Sequence, residues 1–177
     1  MENIRHIFLT GEKQVGKSTL WRKVLEQTGI NPGGFQTLEY LINGTFRGYR
    51  LHGLGETPEQ FGNDVPISVF LRRKLHLPVP ESFDIFGTAL LQRAQETSDY
   101  ILMDELGIFE RTAATFRQAV VDCLDGKCHV LGVLQKADDP FLAAILNRPD
   151  VLVYTVTPEN RDTLVESLLS ALEQLKS

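Results

Sequence analysis

The chain has 177 residues, 42% hydrophobic and 23% charged, and 18 Lys and Arg against 23 Asp and Glu give a net charge of −5. That composition excludes a disordered chain, and the length can bury a core without disulfides or structural metal. The acidic balance argues against nucleic acid or an anionic membrane as partner, and no apolar run approaches the roughly 20 residues of a membrane span.

Residues 4–10 read as a buried strand, followed by a glycine-bounded loop and a helix over 17–28 that stops at Gly29. Asn31-Pro32-Gly33-Gly34 reads as a turn. Strands over 35–42 and 45–51 flank Asn43-Gly44, a strong hairpin signal because both positions of a type I′ turn take positive φ. An antiparallel hairpin is therefore expected within an insertion over about 35–81. Its second part, 52–81, carries scattered Gly and Pro and an apolar run at 65–71 ending in Arg72-Arg73-Lys74, a triplet that reads as a solvated face or a lid contact rather than a partner site.

Phe83, Phe86, Leu90 and Ala94 then recur at helical spacing, with Ser82 as the expected N-cap. Residues 99–103 form a short buried strand, and Phe116, Val120 and Leu124 stripe a helix. Residues 128–134 form another strand, and Asp139-Pro140 opens a short helix with Pro at its first position. The last strand is 151–156, and Thr157-Pro158 starts a helix carrying Leu164, Leu168, Leu172 and Leu175 on one face. Cys123 and Cys128 lack the partners of a zinc site, and their spacing fails C-x-x-C-H despite His129. They read as buried free thiols, and with no signal-peptide pattern at the N-terminus the expected location is cytoplasmic.

Strands alternating with helices imply parallel βαβ units, so the expected fold is α/β, a three-layer sandwich with a mainly parallel sheet, spanning 1–177 as a single domain. Ligands in such sheets sit at the carboxyl ends of the strands. The chemistry should follow strands ending near Thr10, Met103, Leu134 and Thr155.

The decisive motif is Gly11-Glu12-Lys13-Gln14-Val15-Gly16-Lys17-Ser18-Thr19, a G-x-x-x-x-G-K-[ST] loop between a strand and a helix. Its glycines let successive N–H groups point into one anion-sized nest, and the helix adds its positive end. Lys17 is placed to bridge the β- and γ-phosphates of a nucleoside triphosphate, and the Ser18 hydroxyl to complete a Mg²⁺ coordination sphere.

A second motif, Tyr100-Ile101-Leu102-Met103-Asp104-Glu105, is an apolar strand ending in two carboxylates. Adjacent acids alone usually mark a solvated turn. Beside the phosphate loop, Asp104 reads as reaching the Mg²⁺ shell and Glu105 as polarising an attacking water. Asp104-Glu105-Leu106-Gly107 also matches the D-x-x-G of GTPases, with Gln135-Lys136-Ala137-Asp138 as a damaged N-K-x-D. Against that reading, Lys17 and Asp104 lie 87 residues apart, and Gln135 replaces the asparagine that would read the base.

Together these residues resemble the cancer-related nucleoside-triphosphatases, small P-loop NTPases also found in thermophiles. The resemblance runs from Ile7-Phe8-Leu9-Thr10-Gly11 through the phosphate loop to Gly34-Phe35-Gln36-Thr37 and Phe46-Arg47-Gly48-Tyr49. It continues in Asp104-Glu105-Leu106-Gly107 with Glu110 and in Val156-Thr157-Pro158-Glu159-Asn160-Arg161. Gln14 stands where the family loop commonly has glycine, and Leu38 and Leu41 where its hairpin usually has Glu and Arg. The resemblance implies a P-loop NTPase fold and Mg²⁺-dependent hydrolysis of nucleoside triphosphates such as ATP or GTP. It implies Lys17 and Ser18 on phosphate and metal, Asp104 ordering Mg²⁺, Glu105 activating water, and Arg47, Glu110 and Asn160 as supporting residues. A small-molecule kinase of similar topology and a nucleotide-dependent switch module are the alternatives, and the sequence points to no protein partner.

Overall fold

The computed structural model describes residues 4–71 and 75–175. The basic triplet Arg72-Arg73-Lys74 lies outside the described residues. Seven strands form one sheet in the order β4-β3-β2-β7-β8-β1-β9. Strands β1 (His6–Gly11), β2 (Gly33–Ile42), β7 (Tyr100–Leu106), β8 (His129–Leu134) and β9 (Val151–Val156) run parallel, while β3 (Thr45–Leu54) and β4 (Asp64–Pro66) extend one edge antiparallel.

The layers follow from side-chain alternation, because successive residues of a strand face opposite sides. Ile7 and Leu9 of β1, Leu102 of β7, and Leu131 and Val133 of β8 pack in one cluster with Leu20, Trp21 and Val24 of α1 (Lys17–Thr28) and Leu168 and Leu172 of α6 (Leu164–Leu175). Phe8, Ile101, Met103 and Val130 belong to the opposite cluster, with Leu90 of α3 (Thr88–Thr97), Phe116 and Val120 of α4 (Ala114–Asp125) and Leu142 of α5 (Pro140–Leu146). Each fully buried Phe, Leu or Ile contributes roughly 1.5–3 kcal/mol. A sheet apolar on both faces must be covered on both, which is why the parallel strands read as continuous apolar runs.

Several boundaries differ from the sequence expectation. Gly33 and Gly34 open β2 rather than forming a turn. Gly34 has φ 101, and a Cβ there would stand 2.2 Å from the Leu102 carbonyl oxygen, so glycine is required where β2 closes on β7. Ser82 is not an N-cap: helical structure begins at α2 (Pro80–Ser82) and continues through a π-helical turn, Phe83–Gly87, into α3. Pro80 has no N–H to satisfy at that first position. The apolar run at 65–71 becomes β4 and part of a separate hairpin, β5 (Ser68–Leu71) with β6 (Leu75–Pro78). The final helix starts at Leu164 instead of Thr157, after a chain of tight turns. Asn43 and Gly44 take φ 50 and 73, the turn expected between β2 and β3. Cys123 and Cys128 are buried and unbridged, and burial pushes the Cys123 thiol up to about 12. Among the described residues no helix is long and apolar enough to cross a membrane.

Candidate active site

The phosphate loop leaves β1 at Gly11, whose φ of 138 and close approach to β9 exclude a side chain: a Cβ would lie 2.4 Å from the Val156 carbonyl oxygen. Gln14 adopts φ 59, the left-handed region where non-glycine residues cost roughly 1–2 kcal/mol. Gln14 takes that conformation at an exposed position of the loop. Val15 is buried and anchors the loop, while Glu12 and Lys13 are exposed. The Glu12 carboxylate pairs with Lys136 at 2.7 Å, both groups in solvent. Gly16, at φ 108, leads into α1, where Ser18 and Thr19 stand exposed in the first turn.

Lys17 is 5% exposed, and its Nζ donates to the carbonyl oxygens of Gly11 at 3.0 Å and Glu12 at 2.7 Å. Burial lowers its affinity for a proton, while Glu105, Asp104 and Glu12 work to hold the charge. The Ser18 hydroxyl donates to Asp104 Oδ1 at 2.9 Å. Asp104 is 3% exposed, and burial pushes its carboxyl up to about 6, opposed by the Ser18 hydrogen bond and reinforced by neighbouring Glu105. Glu105 sits at a break in the β7–β8 register, between Asp104 opposite Val133 and Leu106 opposite Leu134. Such a bulge re-aims the extra residue's side chain. Its N–H donates to Thr37 Oγ1 at 3.3 Å, and burial raises its carboxyl pKa against the pull of Lys17 and Lys13. The loop, α1 and the end of β7 thus converge on one point of the sheet's carboxyl edge.

Ser18 and Asp104 present hard oxygen donors beside a phosphate nest, the chemistry that suits Mg²⁺. Among the described residues no group of three or more His, Cys, Asp or Glu is placed to hold a metal. Mg²⁺ at phosphate sites is usually held by one or two side chains together with substrate phosphates and water.

The three residues expected to support the site sit on the loop after β7, on the β2–β3 hairpin and on the turns after β9. Glu110, 1% exposed, accepts a hydrogen bond from the Gly107 N–H and fixes the loop after β7. Burial lifts its carboxyl to about 8, opposed by hydrogen bonds and Arg117 and reinforced by the charge of Glu105. Arg47 is the extra residue of a bulge in β3, between Gly48 opposite Tyr40 and Phe46 opposite Leu41. Its side chain is exposed, on the part of the hairpin that runs beyond the Gln36–Asp104 pairing at the end of the β2–β7 ladder. Asn160 ties the turns after β9 together: its Oδ1 accepts from Thr157 N at 2.8 Å and its Nδ2 donates to Thr155 O at 2.9 Å.

Other contributors went unassigned in the sequence. Thr37 closes the G-F-x-T segment and receives Glu105, so that segment was the available signal. Gln135 accepts from Ile108 N at 3.0 Å, bracing the loop after β7 rather than facing a base. Asp139, read only as a helix opener, caps Phe141 N at 2.9 Å and also holds Arg117 at 2.7 Å and Arg111 at 3.3 Å. Burial works to raise its pKa, but those hydrogen bonds outweigh it and hold the carboxyl below its ordinary range.

A family model described as NTPase matches residues 6–169. The chain belongs to the NTPase family. The nucleoside-triphosphatase THEP1 of Thermotoga sp. (strain RQ2) is 33% identical over 168 residues, 94% of this chain and 95% of that protein. The human cancer-related nucleoside-triphosphatase is 31% identical over 184 residues, 96% of this chain and 97% of its own length. The crystal structure of THEP1 from Aquifex aeolicus aligns with TM-score 0.76 at 29% identity, covering 95% of this chain and 99% of that one. The solution structure of the human protein gives TM-score 0.74 at 28% identity, covering 96% and 97%. The fold is accordingly that of the P-loop NTPases.

Proposed function

We propose that residues 1–177 form a single-domain, Mg²⁺-dependent hydrolase that transfers the γ-phosphoryl group of a nucleoside triphosphate to water, releasing nucleoside diphosphate and phosphate. The observation that carries this reading is the Ser18–Asp104 hydrogen bond at the phosphate loop, with Glu105 next in the chain. Backbone N–H groups of residues 11–19 would cradle the phosphates, and Lys17 would place its charge on the oxygens that become more negative during transfer. Ser18 and Asp104 would hold Mg²⁺, which when bound neutralises charge on the β- and γ-phosphate oxygens. Glu105 would orient a water opposite the β–γ bridging oxygen and draw off its proton as the new P–O bond forms and the bridging bond breaks. Arg47 would add positive charge from the hairpin, while Glu110 and Asn160 would hold the two flanking loops in place.

The test is incubation with Mg-ATP or Mg-GTP, with and without candidate nucleosides as acceptors. Phosphate release independent of acceptor is the expected result. Product formed only with an acceptor would make the chain a kinase. Slow turnover with tight retention of diphosphate would make it a switch module.

A further inference from the structure

We propose that the nucleoside end of the substrate lies between α1 and the turn after β9, with its base flat against the guanidinium of Arg161. This inference rests on the triphosphatase reading of the phosphate loop and adds to it the site of the non-reacting end.

Strand order sets the direction. The carboxylates Asp104 and Glu105 belong to β7, which lies on the β8 side of β1, and β9 lies on the other side. A triphosphate is a linear chain, so a γ-phosphate turned toward β7 leaves the α-phosphate and its nucleoside on the β9 side of the loop. A cavity of about 320 Å³ opens there, lined by Gln14, Gly16, Leu20, Lys23, Arg161 and Asp162. It is continuous with the phosphate loop, since Gln14 and Gly16 are loop residues. Its volume lies at the lower end of the range of small-molecule sites, roughly 300–1,000 Å³.

Arg161 is equipped for a planar ligand. Its side chain crosses close to the loop: a Cβ on Gly16 would stand 3.9 Å from Arg161 Cδ. Among the described residues the guanidinium makes no hydrogen bond or ion pair, although Asp162 is its neighbour. The backbone beneath it is fixed, because Arg161 N donates to Thr157 O at 3.1 Å and Asn160 locks the same turn. A flat, weakly hydrated cation on a rigid base stacks well on an aromatic heterocycle. Leu20, 3% exposed, supplies an apolar floor, and Gln14, Lys23 and Asp162 supply donors and acceptors for ribose and base edges.

The test separates the base from the phosphates by using inorganic tripolyphosphate as a competitor that lacks a base. Arg161→Ala should raise KM for ATP and GTP about 3- to 30-fold with kcat nearly constant, as expected for one stacked cation. The inhibition constant of tripolyphosphate should not move. Arg161→Lys, which keeps the charge and loses the plane, should resemble Arg161→Ala. An unchanged KM, a parallel weakening of tripolyphosphate, or rescue by Lys would overturn the stacking role. A parent protein that neither binds nor hydrolyses Mg-NTP would overturn the triphosphatase reading itself, a result visible before any variant is made.

Discussion

Ser18 Oγ donates to Asp104 Oδ1 at 2.9 Å, joining two residues 86 positions apart in sequence. One comes from the first turn of α1 and the other from the end of β7, strands β1 and β7 being separated only by β8. Asp104→Asn keeps the shape and an oxygen for the Ser18 hydroxyl but removes the charge proposed to serve Mg²⁺. Turnover should fall and the Mg²⁺ concentration for half-maximal rate should rise at least ~10-fold, a shift of ~1.4 kcal/mol. Because burial disfavours the Asp104 carboxylate, the variant's melting temperature should not drop. An unaltered Mg²⁺ titration would remove Asp104 from the metal.

Glu105→Gln tests the water-side role. The bulge at Glu105 turns its side chain independently of Asp104, so the substitution should spare nucleotide affinity. General-base and positioning roles contribute about 10²–10⁴-fold, so kcat should fall at least ~100-fold. Parent-rate hydrolysis by the variant would assign water activation to another group.

Arg47→Ala should slow hydrolysis while moving the melting temperature by no more than about two degrees, since exposed substitutions away from special features usually stay within about ±0.5 kcal/mol. Its exposed position on a bulge makes the kinetic effect the informative one. Unchanged rates would return Arg47 to the solvent.

Glu110 is held protonated near neutral pH, its carboxyl lifted from 4.5 to about 8 by burial. The folded chain therefore binds a proton that the unfolded chain has released. The stability this group contributes is full below pH 4.5 and is lost as pH rises through 8. Glu110→Gln cannot ionise, so its stability relative to the parent should improve from pH 5 to about pH 8 and then level off. Urea unfolding at several pH values measures this, and parallel profiles would mean the carboxyl is charged in the fold.

His6 behaves in the opposite sense. Its Nδ1 accepts from Val130 N at 3.0 Å, so Nε2 carries the proton and donates to Leu124 O at 3.0 Å. Burial holds the imidazole down at about 4 instead of 6.5, although Asp150 pulls it up. Between those values the unfolded chain takes up a proton that the folded chain refuses, so stability falls with pH, by roughly 3 kcal/mol at pH 4. His6→Gln should be less stable than the parent at pH 7, with a gap that narrows toward pH 4.5. A constant gap would show that His6 does not titrate in this window.

The sequence by itself determined the parallel α/β order, the span of α1, the β2–β3 hairpin at Asn43-Gly44 and the phosphate loop, because each rests on local chemistry. Apolar periodicity, positive-φ turns and a backbone anion nest are all written within a few consecutive residues. Boundaries set by contact with distant strands were not legible: Gly33 and Gly34 looked like a turn until β2 met β7, and Pro80 rather than Ser82 opened a helix. Tertiary structure alone decided which side chains share the site. Thr37 reaches Glu105, Gln135 braces the loop at Ile108, and Arg161 crosses Gly16, contacts that span dozens of residues and depend on strand order. A chain writes its elements locally, but side chains from separate elements meet only when burial of both faces of the sheet fixes which strands are neighbours.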